Sequence, residues 1–307
     1  MSNNPDLQLS EVFNVKGKVA LVTGGGSGIG LMVPIPATSS HHNLTDPILQ
    51  CTQALAVNGA KVYIVGRTEE KLQRVKKVHG KDIAGEIIPL VGDVADKKSV
   101  DKLVSEIESK EGKLDILVNN AGIAPGKTTP DGKDAAELKK NLYDEVSLED
   151  WTSTYATNVV GPFFMSVAFL PLLQKASDQT PSWSACVINI SSISGLVRIS
   201  QGHFSYNASK GATIHLNKML ATEIASSGLK VRVNAIAPGV FPSEMTTQES
   251  DENQKSQMPK DAKGGLPSGR PGNDRDMAAA VLFCASCQYL NGQNIPVDGG
   301  YLIQTGT

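Results

Sequence analysis

Seven short apolar runs, each followed by a segment of helical character, constrain the fold of this 307-residue chain more than any other feature. Runs that are apolar on both faces are typical of parallel strands covered by helices on either side. The runs begin at Lys18, Lys61, Glu86, Leu114, Cys186, Lys230 and Asn294. They predict a doubly wound α/β fold with a seven-stranded, mainly parallel sheet and a ligand site at the carboxyl ends of its strands.

The sequence shows neither an internal repeat nor a clear linker, so we predict one domain over residues 1–307. Segments 33–50, 125–146 and 242–272 have the character of loops or insertions, and we expect the last to border the substrate. The formal net charge of −2 gives no reason to expect nucleic acid or a membrane as partner. The first residues of the sequence are polar and lack the apolar core of a signal peptide, and no run of about 18 apolar residues occurs. We therefore predict a cytoplasmic protein.

A glycine-rich turn, "TGGGSGIG", follows the first run directly. Glycines allow a tight turn and let backbone N–H groups approach a pyrophosphate at the start of a helix. A glycine turn alone is a weak signal, but the strand before it and the strand after it strengthen the reading. No Gly-Lys-Ser/Thr ending follows, which excludes a Walker-type loop. The predicted cofactor contacts in this turn are Gly24, Ser27, Gly28, Ile29 and Gly30.

The residue after the second strand selects between the two nicotinamide dinucleotides. An acidic residue there binds the ribose hydroxyl of NAD, whereas arginine accommodates the 2′-phosphate of NADP. This chain has Gly66 and Arg67 at that point, which favours NADP(H) over NAD(H). The alternative is a solvated surface arginine paired with Glu69 or Glu70.

Tyr206 and Lys210 lie four positions apart in "FSYNASK", so on a helix they share one face. A free phenol is a poor acid–base group at neutral pH, and a nearby ammonium lowers its pKa. The spacing predicts a tyrosine that donates a proton to a developing alkoxide, with two surface residues as the alternative. Ser191 and Ser192 end the buried run upstream, where a hydroxyl can hydrogen bond a substrate carbonyl.

Together these features resemble the short-chain dehydrogenase/reductase family from Lys16 to Leu302, and within it the fungal relatives of 3-oxoacyl-[acyl-carrier-protein] reductases. The motifs occur in order as "TGGGSGIG", "GDV", "NNAG", "TNVVG", "SSISG", "YNASK", "NAIAPG" and "VDGG". The resemblance implies a Rossmann fold, an NADP-dependent oxidoreductase of the ketoreductase type (EC 1.1.1.-), a small carbonyl or alcohol substrate, and a homo-oligomer, either dimer or tetramer.

The resemblance also implies a role for each motif residue. Tyr206 is the implied acid–base group, Lys210 lowers its pKa and binds the nicotinamide ribose, and Asn158 holds a water that links Lys210 to solvent. Ser192 is the implied substrate-binding serine, although it stands 14 positions before Tyr206 where 13 is commoner in the family. Ser191 and Ser194 are the other choices. The remaining implied cofactor contacts are Asp93, Val94, Asn120, Ala121, Gly122, Pro238, Gly239 and Val240.

Asn158 also has a structural reading. The stretch from Trp151 to Leu173 predicts one long buried helix, begun by Ser147 with Asp150 three residues later as a capping box. A buried helical asparagine needs hydrogen-bond partners whatever its role in catalysis.

The segment from Val33 to Gln50 interrupts the helix that should follow the glycine turn. Its prolines at positions 34 and 36 each cost about 3 kcal/mol or more in a helix interior. Without it, Gly30 and Arg67 stand 19 positions apart, close to the roughly 20 expected of a dinucleotide fingerprint. Apolar residues on both sides then fall at helical spacing, and we expect the present helix to dock without its first turn.

The segment is a whole number of codons, so its removal keeps the reading frame. Its first residue is a valine, whose codons begin with GT, and its last is a glutamine, whose codon can be CAG. Introns begin and end in this way, and Leu44–Thr45 can encode a branch-site-like sequence. We therefore hypothesise a translated intron, with a genuine surface loop as the alternative. A metal site at His41 and His42 has no supporting ligands, so we predict no metal. If the segment disrupts the site, the alternative function is a catalytically impaired NADP-binding or scaffold protein.

Overall fold

The computed structural model describes residues 4–24, 44–45, 47–241, 255–256 and 266–306. All seven predicted runs contain a strand: β1 (Val19–Thr23), β2 (Lys61–Gly66), β3 (Glu86–Val91), β4 (Ile116–Asn119), β5 (Ala185–Ile190), β6 (Val231–Pro238) and β7 (Asn294–Val297). They form one sheet in the order β3-β2-β1-β4-β5-β6-β7, and every neighbouring pair is parallel. The doubly wound Rossmann fold is therefore confirmed.

Helices connect these strands and cover both faces of the sheet. The α-helices are α1 (Leu9–Val12), α2 (Pro47–Val57), α3 (Glu69–His79), α4 (Lys97–Glu111), α5 (Ala135–Lys139), α6 (Leu148–Tyr155), α7 (Gly161–Ala168), α8 (Leu170–Gln179), α9 (Phe204–Ser226), α10 (Asp274–Ser286) and α11 (Tyr301–Thr305). Shorter elements are the 3₁₀ turns Asn4–Leu7 and Ile193–Gly195, the π-turns Lys140–Asp144 and Ala156–Val160, and the antiparallel pair Leu44–Thr45 with Lys255–Ser256.

The alternation of side chains along each strand creates two core layers. In β1, Ala20 and Val22 pack into the layer that contains α2 and α10, whereas Val19 and Leu21 pack into the layer of α4, α8 and α9. All five residues of β1 are buried, because helices cover the sheet on both sides. This burial explains why the strands have continuous apolar runs in the sequence.

The predicted long helix around Asn158 is divided in the structure. Ser147 begins α6 as predicted, and its Oγ accepts a hydrogen bond from the backbone N of Asp150 at 3.0 Å. The helix then widens into the π-turn Ala156–Val160 before α7, and a further break at Phe169 precedes α8. The prediction of one regular helix was wrong, because the turn around Asn158 takes one more residue than an α-helical turn.

Helix α2 begins at Pro47, inside the segment that we predicted to be an aberrant insertion. Proline is well suited to a first helical position, where its missing N–H is not needed. Leu49 and Gln50 of this first turn are buried, so the helix does not dock without its first turn as we expected. The last four residues of the segment supply that turn; residues 33–43 lie outside the described part of the chain.

Among the described residues, no single helix is both long enough and apolar enough to cross a membrane. The pair Leu148–Ala168 and Leu170–Gln179 reaches the required length and composition only together, and it is bent by 47° at the break. Met165, Leu172 and Leu173 of this pair are buried in the core.

Candidate active site

The candidate site lies at the edge of the sheet where β1, β4, β5 and β6 end. Thr23 closes β1, and its Oγ accepts hydrogen bonds from the backbone N of Asn120 and of Ala121, each at 3.1 Å. Gly24 follows with a φ of 85°, and a Cβ there would lie 2.9 Å from the Ala121 Cα. A side chain at position 24 is therefore excluded by both backbone conformation and space.

One cleft next to this contact contains half of the predicted cofactor residues that the structure describes. The Asp93 carboxylate accepts a hydrogen bond from the Ala95 backbone N at 2.9 Å and so orders the turn after β3. Arg67 is exposed at the end of β2, and no ion pair of the described residues joins it to Glu69 or Glu70. The cleft is lined by Gly24, Gly66, Arg67, Asp93, Val94, Ala121, Gly122 and Ile123, among others.

The end of β6 closes the opposite side of the site. The Gly239 backbone N donates to the Val297 carbonyl at 2.9 Å, and a Cβ at Gly239 would lie 2.6 Å from the Asp298 Cα. This close packing holds Pro238–Val240 beside β7, and their contact with the nicotinamide stays a prediction. Four predicted contacts of the glycine turn lie outside the described residues: Ser27, Gly28, Ile29 and Gly30.

Tyr206 and Lys210 come together on the first turns of α9. The Lys210 Nζ lies 5.6 Å from the centroid of the Tyr206 ring and donates a hydrogen bond to the Ile190 carbonyl at 2.9 Å. Lys210 is only 4% exposed, and this burial lowers its pKa to about 8. The i, i+4 spacing therefore has the consequence predicted from the sequence, an ammonium held close to a phenol.

The pKa of Tyr206 is raised, which is opposite to the predicted direction. Burial is the largest cause, because it penalises the charged phenolate, and the hydrogen bond with Ser192 lowers the pKa in part. Burial decides the direction, so the lowered pKa predicted from the Tyr–Lys spacing was wrong for this structure. The phenol consequently keeps its proton at neutral pH and is suited to donate it.

Of the two serines that follow β5, Ser192 is the one that hydrogen bonds with Tyr206. The Ser191 Oγ instead lies 2.9 Å from both the Ile236 carbonyl and the Asn294 Oδ1, so its hydroxyl connects the end of β5 to β6 and β7. This geometry favours Ser192 as the serine of the site, as we predicted from its sequence context.

Between Ser192 and Tyr206 the chain contains one residue more than is common in the family. Gln201 has a φ of 53° and Gly202 a φ of 78°, so a left-handed turn accommodates the longer connection. Closer to the serine, a Cβ at Gly195 would lie 2.5 Å from the Lys210 carbonyl carbon. The turn after Ser192 therefore lies directly against the backbone of α9.

Asn158 is buried at the middle of the π-turn Ala156–Val160, and both ends of its amide are bound. Its Oδ1 accepts from the Ile123 N at 2.8 Å, and its Nδ2 donates to the Ile123 carbonyl and to the Ser209 Oγ, each at 2.9 Å. A Cβ at Gly122 would lie 3.4 Å from the Asn158 Oδ1 and 3.5 Å from the Lys210 Nζ. Asn158 thus binds the turn after β4 to α9 beside Lys210; its predicted contact with a water stays a prediction.

A chain of buried amides behind the site was missed in the sequence analysis. The Asn119 Nδ2 donates to the Asn189 Oδ1 at 2.9 Å, and the Asn189 Nδ2 donates to the Asn217 Oδ1 at 3.0 Å. These bonds link β4, β5 and α9 beneath the predicted catalytic residues. The available signal was an asparagine inside two otherwise apolar runs, since a buried amide requires partners.

Comparison with known proteins decides the family. A family model described as enoyl-(acyl carrier protein) reductase matches residues 49–302. The short-chain dehydrogenase/reductase PhomF of Diaporthe leptostromiformis is 36% identical over 310 residues, and the alignment covers 99% of this chain and 98% of the relative. The chain is a short-chain dehydrogenase/reductase. Members of this family bind a nicotinamide cofactor and act on small molecules, so the chain is an oxidoreductase.

Two bacterial relatives extend the comparison. The rhamnolipids biosynthesis 3-oxoacyl-[acyl-carrier-protein] reductase of Pseudomonas aeruginosa is 30% identical over 292 residues, covering 94% of this chain and 98% of the relative. The structure of the Pseudomonas aeruginosa RhlG/NADP active-site complex is similar with a TM-score of 0.72 and 27% identity, covering 94% of this chain and 98% of that chain. The dehydrogenase/reductase fold thus extends over nearly the whole chain.

Cysteine and histidine side chains do not gather into a metal site in the part of the chain that the structure describes. Cys284 is buried in α10, where burial raises the pKa of its thiol to about 12, whereas Cys287 caps the end of that helix and is half-buried. His41 and His42 lie outside the described residues.

Proposed function

We propose that this short-chain dehydrogenase/reductase is an NADP(H)-dependent ketoreductase (EC 1.1.1.-) that interconverts a carbonyl and a secondary alcohol. The hydrogen bond between Ser192 and a protonated Tyr206, with Lys210 buried beside the phenol, carries the proposal. Two hydroxyl groups that meet in this way suit a carbonyl oxygen held between them. The 3-oxoacyl-[acyl-carrier-protein] reductase among the relatives supports the reduction of a carbonyl group as the reaction type of this chain.

Each residue has one task in this reaction. Bound NADPH would supply the hydride to the carbonyl carbon. Ser192 would donate a hydrogen bond to the carbonyl oxygen, Tyr206 would transfer its proton to that oxygen, and the Lys210 ammonium would stabilise the resulting phenolate. The raised pKa keeps Tyr206 protonated at neutral pH, which is the form that carbonyl reduction requires of a proton donor.

Oxidation of NADPH, followed by its absorbance, tests this function with three kinds of acceptor: ketones, a 3-oxoacyl thioester and an enoyl thioester. The proposal expects turnover with the first two and little with the third, since the hydroxyls of Ser192 and Tyr206 are placed for a carbonyl. Turnover of the enoyl thioester alone would contradict a ketoreductase.

A catalytically impaired NADP-binding or scaffold protein is not favoured, because all four predicted catalytic residues meet at one site. A cytoplasmic location and a dimeric or tetrameric assembly stay predictions from the sequence. Light scattering during size-exclusion chromatography measures the assembly.

Replacing Lys210 by methionine is expected to weaken NADPH binding and lower kcat, because the ammonium serves both the ribose and the phenol. In the parent enzyme the rate of carbonyl reduction should fall as pH rises through about 8, where Lys210 loses its proton. In Lys210→Met this alkaline decrease should be absent. The measurement is kcat as a function of pH, with the Kd of NADPH determined by fluorescence.

Lys218→Met is a matched control, since Lys218 is exposed on the same helix. It should leave both the Kd and the pH profile unchanged. An identical alkaline decrease in Lys210→Met and in the parent would show that another group titrates.

Replacing Arg67 by aspartate is expected to reverse the cofactor preference, because a carboxylate repels the 2′-phosphate of NADP. A charge-assisted hydrogen bond to phosphate contributes about 1.5–3 kcal/mol, or roughly ten- to a hundredfold in affinity. The Kd values of NADPH and NADH should therefore converge or cross. Arg74→Asp makes the same charge change at an exposed position of α3 and should not alter the ratio. An unchanged ratio in Arg67→Asp would make Arg67 a surface residue only.

A further inference from the structure

A second groove lies beside the residues that precede Tyr206. Three parts of the chain form its walls: residues 125–128, residues 142–151 and residues 202–205. Most of the first two parts belong to the 125–146 segment, which has the character of a loop or insertion in the sequence. None of the catalytic residues comes from that segment, so the catalytic chemistry does not explain why it is there.

The walls of the groove are held together by specific contacts. The Thr128 backbone N and Oγ1 both donate to the Gly202 carbonyl, at 2.9 and 3.0 Å. A Cβ at Gly202 would lie 2.5 Å from the Thr128 carbonyl oxygen, so glycine is required at this approach. The Asn141 Nδ2 donates to the Asp131 carbonyl at 2.7 Å and closes the segment on itself. The segment is therefore an ordered wall of the groove.

His203 connects the groove to the catalytic tyrosine. Its ring meets the Tyr206 ring edge to face, with 6.4 Å between the centroids. The Nδ1 of His203 is buried and has no hydrogen-bond partner among the described residues. The His203 ring thus lies between the groove and the Tyr206 phenol that would donate the proton.

The lining of the groove is chiefly apolar in its large side chains. Trp151 is 36% exposed and Phe204 is 40% exposed, and both contribute aromatic surface to it together with Leu142 and Val146. Lys127, Glu145 and Asp150 also line the groove, and these three charged groups are of mixed sign. Such a lining has room for an apolar ring and offers no concentrated charge to a phosphate or a carboxylate.

We propose that this groove binds the part of the substrate beyond the reacting carbonyl and selects ketones that carry an apolar ring system. The inference rests on the proposed ketoreductase function, which supplies the reacting carbonyl next to Tyr206. Trp151 and Phe204 are specificity-determining residues that contact the ring. Small ketones and unbranched 3-oxoacyl chains leave these surfaces exposed and are the weaker substrates.

The first test compares β-tetralone, a fused-ring ketone, with the N-acetylcysteamine thioester of acetoacetate. Trp151→Ala should raise the KM for β-tetralone by about tenfold, while the KM for the thioester changes little. Tyr143→Ala is the matched control: Tyr143 is 74% exposed in the nearby π-turn Lys140–Asp144 and does not line the groove. Equal effects of Trp151→Ala on both substrates, or no effect on either, would overturn the proposal.

The second test measures binding without turnover. The chain has two tryptophans, so Trp183→Phe leaves Trp151 as the only indole. The proposal expects β-tetralone to quench this fluorescence saturably and expects Phe204→Ala to raise its Kd about tenfold. Unsaturable quenching contradicts the groove as a binding site. Saturable quenching in a protein that reduces no carbonyl would support the groove and refute the ketoreductase function, so the two failures are distinguishable.

Discussion

Tyr206→Phe is expected to lower kcat for carbonyl reduction by about 10²–10⁴-fold, the contribution typical of a positioned general acid. The Kd of NADPH should be nearly unchanged, because the ring remains and only the ionisable oxygen is lost. Loss of the hydrogen bond with Ser192 should cost about 1 kcal/mol of stability, too little to unfold the enzyme. Steady-state kinetics and cofactor titration of the same preparation measure both quantities.

Tyr289→Phe is the appropriate control, since Tyr289 is fully exposed and its hydroxyl should be dispensable. If the activity of Tyr206→Phe stays within about tenfold of the parent, the loss is smaller than the usual contribution of a general acid. That result would exclude Tyr206 from the role.

Deleting residues 33–50 is expected to give a protein that binds NADPH more tightly and melts at a higher temperature. The deletion joins Met32 to Cys51, so Leu31 and Met32 take the places of Leu49 and Gln50 before the rest of α2. A leucine then still occupies the buried position of Leu49, which is 3% exposed. The hydrogen bond of 3.0 Å from the Gln50 Nε2 to the Asp274 Oδ1 is lost and replaced by an apolar side chain.

The gain is expected because a glycine turn binds pyrophosphate best when it leads directly into a helix N-terminus. Restoring even one charge-assisted hydrogen bond to phosphate is worth roughly ten- to a hundredfold in affinity. The match of the family model begins at residue 49, where α2 is already formed, which agrees with an interruption before that point. Cofactor titration and thermal unfolding of both forms give the comparison.

Gln50→Met in the full-length chain is a matched control for this deletion, because it makes the same change at the contact with Asp274 and keeps the segment. It should not reproduce the gain in affinity. A full-length chain that binds NADPH as tightly as the deletion variant would establish the segment as a genuine loop. Transcript sequence across codons 33–50 tests the intron hypothesis independently.

The strands and the residues at their ends were predictable because their signals are local. A strand covered on both faces must be apolar throughout, and polar residues that follow it lie at the edge where ligands bind. Ser191 and Ser192 were placed at the edge of the sheet on that basis, and the structure has them directly after β5. The i, i+4 spacing likewise brought Tyr206 and Lys210 to one face of α9.

The features that were not predicted depend on distant parts of the chain. The π-turn at Asn158 is bonded to Ile123 and Ser209, which belong to other elements. The raised pKa of Tyr206 follows from its burial, which periodicity within α9 does not reveal. The start of α2 at Pro47 was obscured because prolines in the preceding residues suggested an interrupted helix.

Gly195 lies directly against the backbone of Lys210, although the two residues are far apart along the chain. Ser192, the predicted substrate-binding serine, stands three residues before this glycine, so the contact holds it near α9 whatever the length of the connection to Tyr206. A longer connection between Gly195 and Tyr206 can therefore be accommodated in the exposed turn at Gln201, while Gly195 keeps its contact with α9.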